Sequence, residues 1–120
     1  MKLENIAVNF LKLVISGQID EAYEKYVDIR GKHHNVNFPD SFSSLKDAMK
    51  ENHKVFPNKL FEVKHCVGDG NMVATHSRLL LGNKQMTVVH IFRFENGKII
   101  EMWDVGQEIP ANIPNKDGAF

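Results

Sequence analysis

Three observations make this chain an α+β domain, helices first and sheet second. Apolar residues recur at helical spacing through the first half. Runs rich in Val, Ile, Phe and Thr fill the second half, and Glu95-Asn96-Gly97 splits the last of them into a hairpin. Helical patterns followed by consecutive strands give segregated layers rather than alternating βαβ units.

Leu3, Ile6, Ala7, Phe10, Leu13 and Val14 mark an amphipathic helix over roughly residues 2–16, with Gly17 as its stop. Ile19-Asp20-Glu21 opens a short second helix whose inner side carries Ala22, Tyr23, Tyr26 and Val27. Residues 28–42, DIRGKHHNVNFPDSF, show no periodicity and contain Gly31 and Pro39. They read as an ordered loop, and a loop of this length in a compact domain is often functional. Ser43-Ser44 starts a third helix, with Ser44 and Asp47 as a capping pair and Leu45, Ala48, Met49, His53 and Phe56 as its apolar stripe; Pro57 closes it. Strands follow at about 59–67 and 72–81, and then the hairpin Met86–Val105, giving a four-strand antiparallel meander. From Glu108 the tail to Phe120 holds Pro110 and Pro114 and is expected to be irregular.

Strand alternation groups Phe61, Val63, His65 and Val67 on one face, and Met72, Ala74, His76 and Arg78 on one face of the next strand. The hairpin admits two registers. A two-residue turn at Asn96-Gly97 sets His90 opposite Trp103 and Asp104 on the other face. A three-residue loop with Gly97 in a left-handed bulge pairs Phe94 with Lys98 and His90 with Met102. The second is favoured because it places Arg93 and Glu101 together as a diagonal pair. It puts Val88, His90, Phe92, Met102 and Asp104 on one face, and Val89, Ile91, Arg93, Ile99, Glu101 and Trp103 on the other. A buried imidazole or carboxylate without a partner costs on the order of 2–7 kcal/mol, so His90 and Asp104 in so apolar a ribbon point to a polar-lined pocket.

At 120 residues the chain holds one domain, 1–120, and one modest core. Lys+Arg equals Asp+Glu at 15 each, so there is no basic field for a nucleic acid. No apolar run reaches the ~20 residues a membrane span needs. Glu4, Asn5 and Asn9 interrupt any signal-peptide core, and the single cysteine, Cys66, fits a reducing cytoplasm. No HExxH or CxxC motif, and no Gly-rich phosphate cradle before a helix, is present. Motif spacing marks no metal or nucleotide site, and a His-only zinc site assembled from separate strands is the one metal alternative left open. A hairpin apolar on both faces implies that helices cover one face and a second copy of the chain the other, a homodimer through the outer sheet face.

The motifs His33-His34-Asn35, Thr75-His76-Ser77, His90-Ile91-Phe92-Arg93-Phe94, Gly97-Lys98-Ile99, Trp103-Asp104 and Pro114-Asn115…Gly118-Ala119-Phe120 resemble the SnoaL-like polyketide cyclase branch of the nuclear-transport-factor-2-like superfamily. The resemblance spans nearly the whole chain. It implies a cone-shaped barrel in which a curved antiparallel sheet (a cystatin-like roll) wraps around three N-terminal helices, with a deep pocket at its mouth. It also implies cofactor-independent acid/base chemistry on apolar small molecules, as isomerase, lyase or aldol-type cyclase. Non-catalytic binding, or a dimeric association module, is the alternative on the same fold.

Asp104 is then the candidate base, with His90 and His76 as polarising or proton-shuttling groups. His34 is a rim contact, and His53, Tyr26, Met49, Phe56, Val88, Phe92 and Met102 form the remaining wall. Each has a structural counter-reading: a hydrogen-bonded core histidine for His90, a loop tie for Asp104, turn capping for His34, helix packing for Tyr26. His33 and His65 read as solvent-side or structural, and Tyr23 as helix packing.

Overall fold

A computed structural model describes residues 1–120. Three helices, α1 (Leu3–Ile15), α2 (Ile19–Tyr26) and α3 (Phe42–Val55), pack on one face of a five-stranded sheet. Its strands are β1 (Val27–His33), β2 (Leu60–Asp69), β3 (Met72–Leu81), β4 (Lys84–Glu95) and β5 (Lys98–Glu108), in spatial order β1-β5-β4-β3-β2. The sheet is curved and mixed: β1 runs parallel to β5, the other pairs are antiparallel, and no strand pairing joins β1 to β2. The α+β architecture, a curved sheet packed on three N-terminal helices, is the one expected; the sheet is open, and β1 adds a parallel strand to the antiparallel meander.

The helices follow the spacing of their apolar residues. Gly17, at φ +90°, ends α1, and Gln18 N–H donates to the Leu13 carbonyl at 2.9 Å to satisfy the last turn. The cap of α3 is Ser41, whose hydroxyl accepts from Ser44 N–H at 3.1 Å, so the expected Ser44–Asp47 pair is displaced by one turn.

Strand β1 lies in the segment expected to be loop. It is an edge strand without alternation, and its register on β5 slips between Val27↔Ile99 and Lys32↔Glu101. Gly31 lets it approach: a Cβ there would collide with the Ile100 carbonyl and the Phe42 ring.

The hairpin register differs from both sequence alternatives. Asn96 (φ 53°) and Gly97 (φ 76°) make a two-residue turn, so Glu95 pairs with Lys98. Past the turn Ile100 is an extra residue, a bulge that re-phases β5 so that Arg93 faces Glu101, Phe92 faces Met102 and His90 faces Asp104. Val88, His90, Phe92, Met102 and Asp104 still share the helix-covered face. Ile99, expected on the outer face, is instead fully buried in the core. A second bulge, at Lys64 in β2, turns His65 and Val67 to the outer face while Phe61, Val63 and Cys66 stay inward.

The core joins Phe10, Tyr23, Phe42, Phe92, Phe94 and Ile99, with Phe10 edge-on to both Tyr23 (5.3 Å) and Phe92 (6.1 Å). The outer sheet face carries half-buried Ile91 and Trp103 and exposed Val67 and Val105. Residues 109–120 are irregular, and Phe120 folds back onto this outer face, stacked on His76 at 5.5 Å.

Candidate functional site

Between the inner face of β3–β5, α1, α3 and the loop after β1 lies a largely apolar cavity of about 550 Å³. Val88, Met49 and Phe61 contribute apolar walls, while His90, Asp104 and Asn35 bring polar atoms to one end. The bulge at Ile100 is what delivers this end, since it puts the imidazole and the carboxylate side by side on one face.

His90 Nε2 stands 3.7 Å from Asp104 Oδ2. The imidazole is stacked on Phe92 at 5.9 Å and its side chain is 12 % exposed. Burial lowers its pKa; the charge of Asp104 opposes that shift. The ring is therefore neutral near pH 7. Its Nδ1 is buried and has no hydrogen-bond partner, as are the hydroxyls of Thr75 and Ser77, which sit across the ladder from His90 and Val88.

Asp104 is held from the loop: Asn35 Nδ2 donates to its Oδ2 at 2.8 Å. A short chain of bonds sets Asn35. His33 Nε2 donates to the Pro39 carbonyl at 2.8 Å, which leaves Nδ1 to accept from Asn35 N–H at 3.1 Å. Asn35 Oδ1 accepts from Asn37 N–H at 3.0 Å, an Asx turn that fixes the carboxamide. His33 is thus buried and structural, not solvent-side.

His34 belongs to the cavity rim, but its ring is engaged elsewhere. Its Nε2 donates to Glu101 Oε2 at 2.7 Å and its ring stacks on Trp103 at 5.0 Å. Arg93 Nε donates to the other oxygen of Glu101 at 3.0 Å. His34 and, next, Arg93 hold the Glu101 carboxyl below the usual carboxylate range.

Six of the expected site residues lie outside the cavity. His76 is on the outer face, where its Nδ1 meets His65 Nδ1 at 3.0 Å and its Nε2 meets Thr87 Oγ1 at 2.8 Å. Residues 73, 75 and 77 point inward on β3, so residue 76 cannot. His53 covers Gly17 at the end of α1, and Phe56 turns toward Gly82. Tyr26, Phe92 and Met102 are packed in the core beneath the cavity. Burial and then the Asp104 charge raise the Tyr23 phenol well above its usual range, which leaves it a packing group. No three His, Cys, Asp or Glu side chains converge at metal-ligating spacing.

Two residues of the site went unread in the sequence. Asn35 was visible only as the third residue of an HHN run. Lys59, the one Lys or Arg on the cavity wall, reads in the sequence only as the first residue of the strand at about 59–67.

Residues 12–102 match the family model described as the SnoaL-like domain. The chain belongs to this family. Solved structures share its fold at low identity. A SnoaL-like polyketide cyclase from Agrobacterium tumefaciens is 22 % identical, with a TM-score of 0.73, covering 89 % of this chain and 92 % of that one. An NTF2-like protein from Cytophaga hutchinsonii is 11 % identical (TM-score 0.74, 89 % and 91 % covered). A cystatin-fold protein from Novosphingobium aromaticivorans is 15 % identical (TM-score 0.75, 88 % and 98 %). Such identities establish the SnoaL-like fold and leave the chemistry to the site. Among curated proteins the search found no match.

Proposed function

We propose that this SnoaL-like chain is a cofactor-independent acid/base catalyst acting on an apolar carbonyl compound, as an isomerase, lyase or aldol-type cyclase. The observation that carries the reading is the His90–Asp104 pair at the polar end of an apolar cavity, 3.7 Å apart and not bonded to each other. That distance is too long for a hydrogen bond between them, so both groups are left to address a substrate held in the cavity they line.

The two groups divide the work by their surroundings. Protonation of His90 on both nitrogens would leave an N–H at Nδ1 with no acceptor, so the proton sits on Nε2, facing Asp104 and the cavity. Asp104 takes the proton from the carbon next to the carbonyl. The electron pair of that C–H bond moves to the carbonyl oxygen, and His90 Nε2–H donates to the enolate so formed. Asn35 keeps the carboxylate aimed. The enolate is then reprotonated elsewhere, expels a leaving group or attacks a second carbonyl.

The test needs no native substrate. 2-Tetralone carries exchangeable C–H bonds beside a ketone, and proton NMR in D2O reads their loss. The protein should accelerate the exchange, and Asp104→Asn should lower that acceleration by about 100-fold or more while leaving circular dichroism unchanged. No acceleration, or the same acceleration in Asp104→Asn, would remove the catalytic reading. The Asn35–Asp104 bond favours a second one, a binding module whose carboxylate is locked to the protein; it predicts 2-tetralone binding without exchange. The homodimer through the outer sheet face belongs to the same proposal, and a sedimentation mass of one chain at micromolar concentration would remove it.

A further inference from the structure

Lys59 stands where the cavity meets the adjoining surface groove and lines both; it is the only fixed cation among the residues that line the cavity, and Asp104 is the only carboxylate there. The two are not paired. Lys59 Nζ forms no ion pair with any Asp or Glu; it donates to the Phe56 carbonyl at 3.0 Å and lies 3.5 Å from His53 Nδ1. Nearly every other part-buried cation of this chain has a carboxylate: Arg93 has Glu101, Arg78 has Glu62, Lys46 has Asp20. Partial burial also lowers the Lys59 pKa, so its ammonium has lost water without gaining a counter-ion.

An ammonium that is partly desolvated beside an apolar wall is stabilised by whatever anion enters. We infer that the cavity selects apolar carbonyl compounds that also carry an anionic oxygen, a carboxylate or an ionised phenol, and that Lys59 is the group that binds it. The inference rests on the cavity being the ligand site, as proposed above. It adds polarity to that site: the reacting carbonyl lies toward His90 and Asp104, and the acidic end toward α3 and the turn at Pro57-Asn58. The opposite arrangement would bring the ligand's anion against the Asp104 carboxylate.

A matched pair of fluorescent probes tests this. 1-Anilinonaphthalene-8-sulfonate is N-phenyl-1-naphthylamine with one added anionic group. The protein should bind the sulfonate about tenfold more tightly than the neutral amine, the size expected of one charge-assisted hydrogen bond. Lys59→Met and, as a more polar version, Lys59→Gln should abolish that preference, read in each variant as the ratio of the two probes' affinities. Lys59→Arg should retain it. Lys12→Gln, which removes a cation from the adjoining surface groove and not from the cavity, should also retain it. A preference that survives Lys59→Met and Lys59→Gln, or is lost equally with Lys12→Gln, overturns the anchor. Neutral-probe binding with no preference overturns the anchor and leaves the cavity reading standing. Failure of both probes to bind overturns both.

Discussion

His90→Phe separates a catalytic histidine from a structural one. The substitution keeps an aromatic ring over Phe92 and removes Nδ1, a buried nitrogen with no partner. An unsatisfied buried polar atom costs about 1–3 kcal/mol, and the slightly larger phenyl ring returns about 1 kcal/mol as crowding. Asp104 keeps its bond from Asn35 and is 22 % exposed, so it is not stranded. The net expectation at pH 7.5 is a gain of about 1 kcal/mol, or roughly 4 °C in Tm for a chain of this size. The pH dependence gives an independent sign. The folded His90 pKa is lowered from 6.5, so below that value the unfolded chain binds a proton that the folded chain refuses. The wild type therefore loses stability as pH falls below 6.5, by up to about 1.4 kcal/mol per pH unit, until the folded pKa is reached. His90→Phe lacks this contribution, so its advantage should widen on acidification. Urea melts at pH 7.5, 6.5 and 5.5 supply the numbers. A variant destabilised by more than about 1 kcal/mol at pH 7.5, or an advantage that does not grow toward pH 5.5, would refute the neutral, unpartnered imidazole on which the mechanism depends.

Three further outcomes follow from the same geometry. Asn35→Ala and Asp104→Asn should couple by about 1 kcal/mol in a double-mutant cycle of urea melts, whereas additive effects would mean that the loop does not hold the carboxylate. His34→Ala should cost about 1 kcal/mol at pH 6. The Glu101 carboxyl is depressed in the folded state, so stability from that contact is present above about pH 4.5 and is lost as pH falls through the folded pKa; a His34→Ala deficit that stays constant down to pH 3 would contradict this. His76→Ala, on the outer face, should leave 2-tetralone exchange within about twofold of wild type, the usual reach of a substitution away from the site, and a large loss would return it to the mechanism.

Part of the site could be read along the chain because the β4 half of its central pair obeys a local rule. Residues 88, 90 and 92 share a face by alternation, and Asn96-Gly97 marks where the ribbon reverses. What was not local was the step at Ile100. An inserted residue changes no propensity, yet it moves every side chain beyond it to the other face. Two registers were therefore drawn, and the observed one combines the turn of the first with the facing of the second. His76 failed for the same reason in reverse. Its alternation was read correctly, but which side of β3 meets the helices depends on packing that no short window contains.

Helix positions, the reversal at Gly97 and the α+β order were determined by the sequence itself, because periodicity and turn chemistry act within a few residues. The tertiary structure alone decided that Val27–His33 is a strand, since its partner β5 lies some 70 residues downstream and supplies the hydrogen bonds its own pattern does not announce. The same pairing carries Asn35 to Asp104 and closes the cavity on the side where the loop crosses it. Contacts between distant segments leave no period in either segment, and the loop residue that aims the carboxylate is set by such a contact.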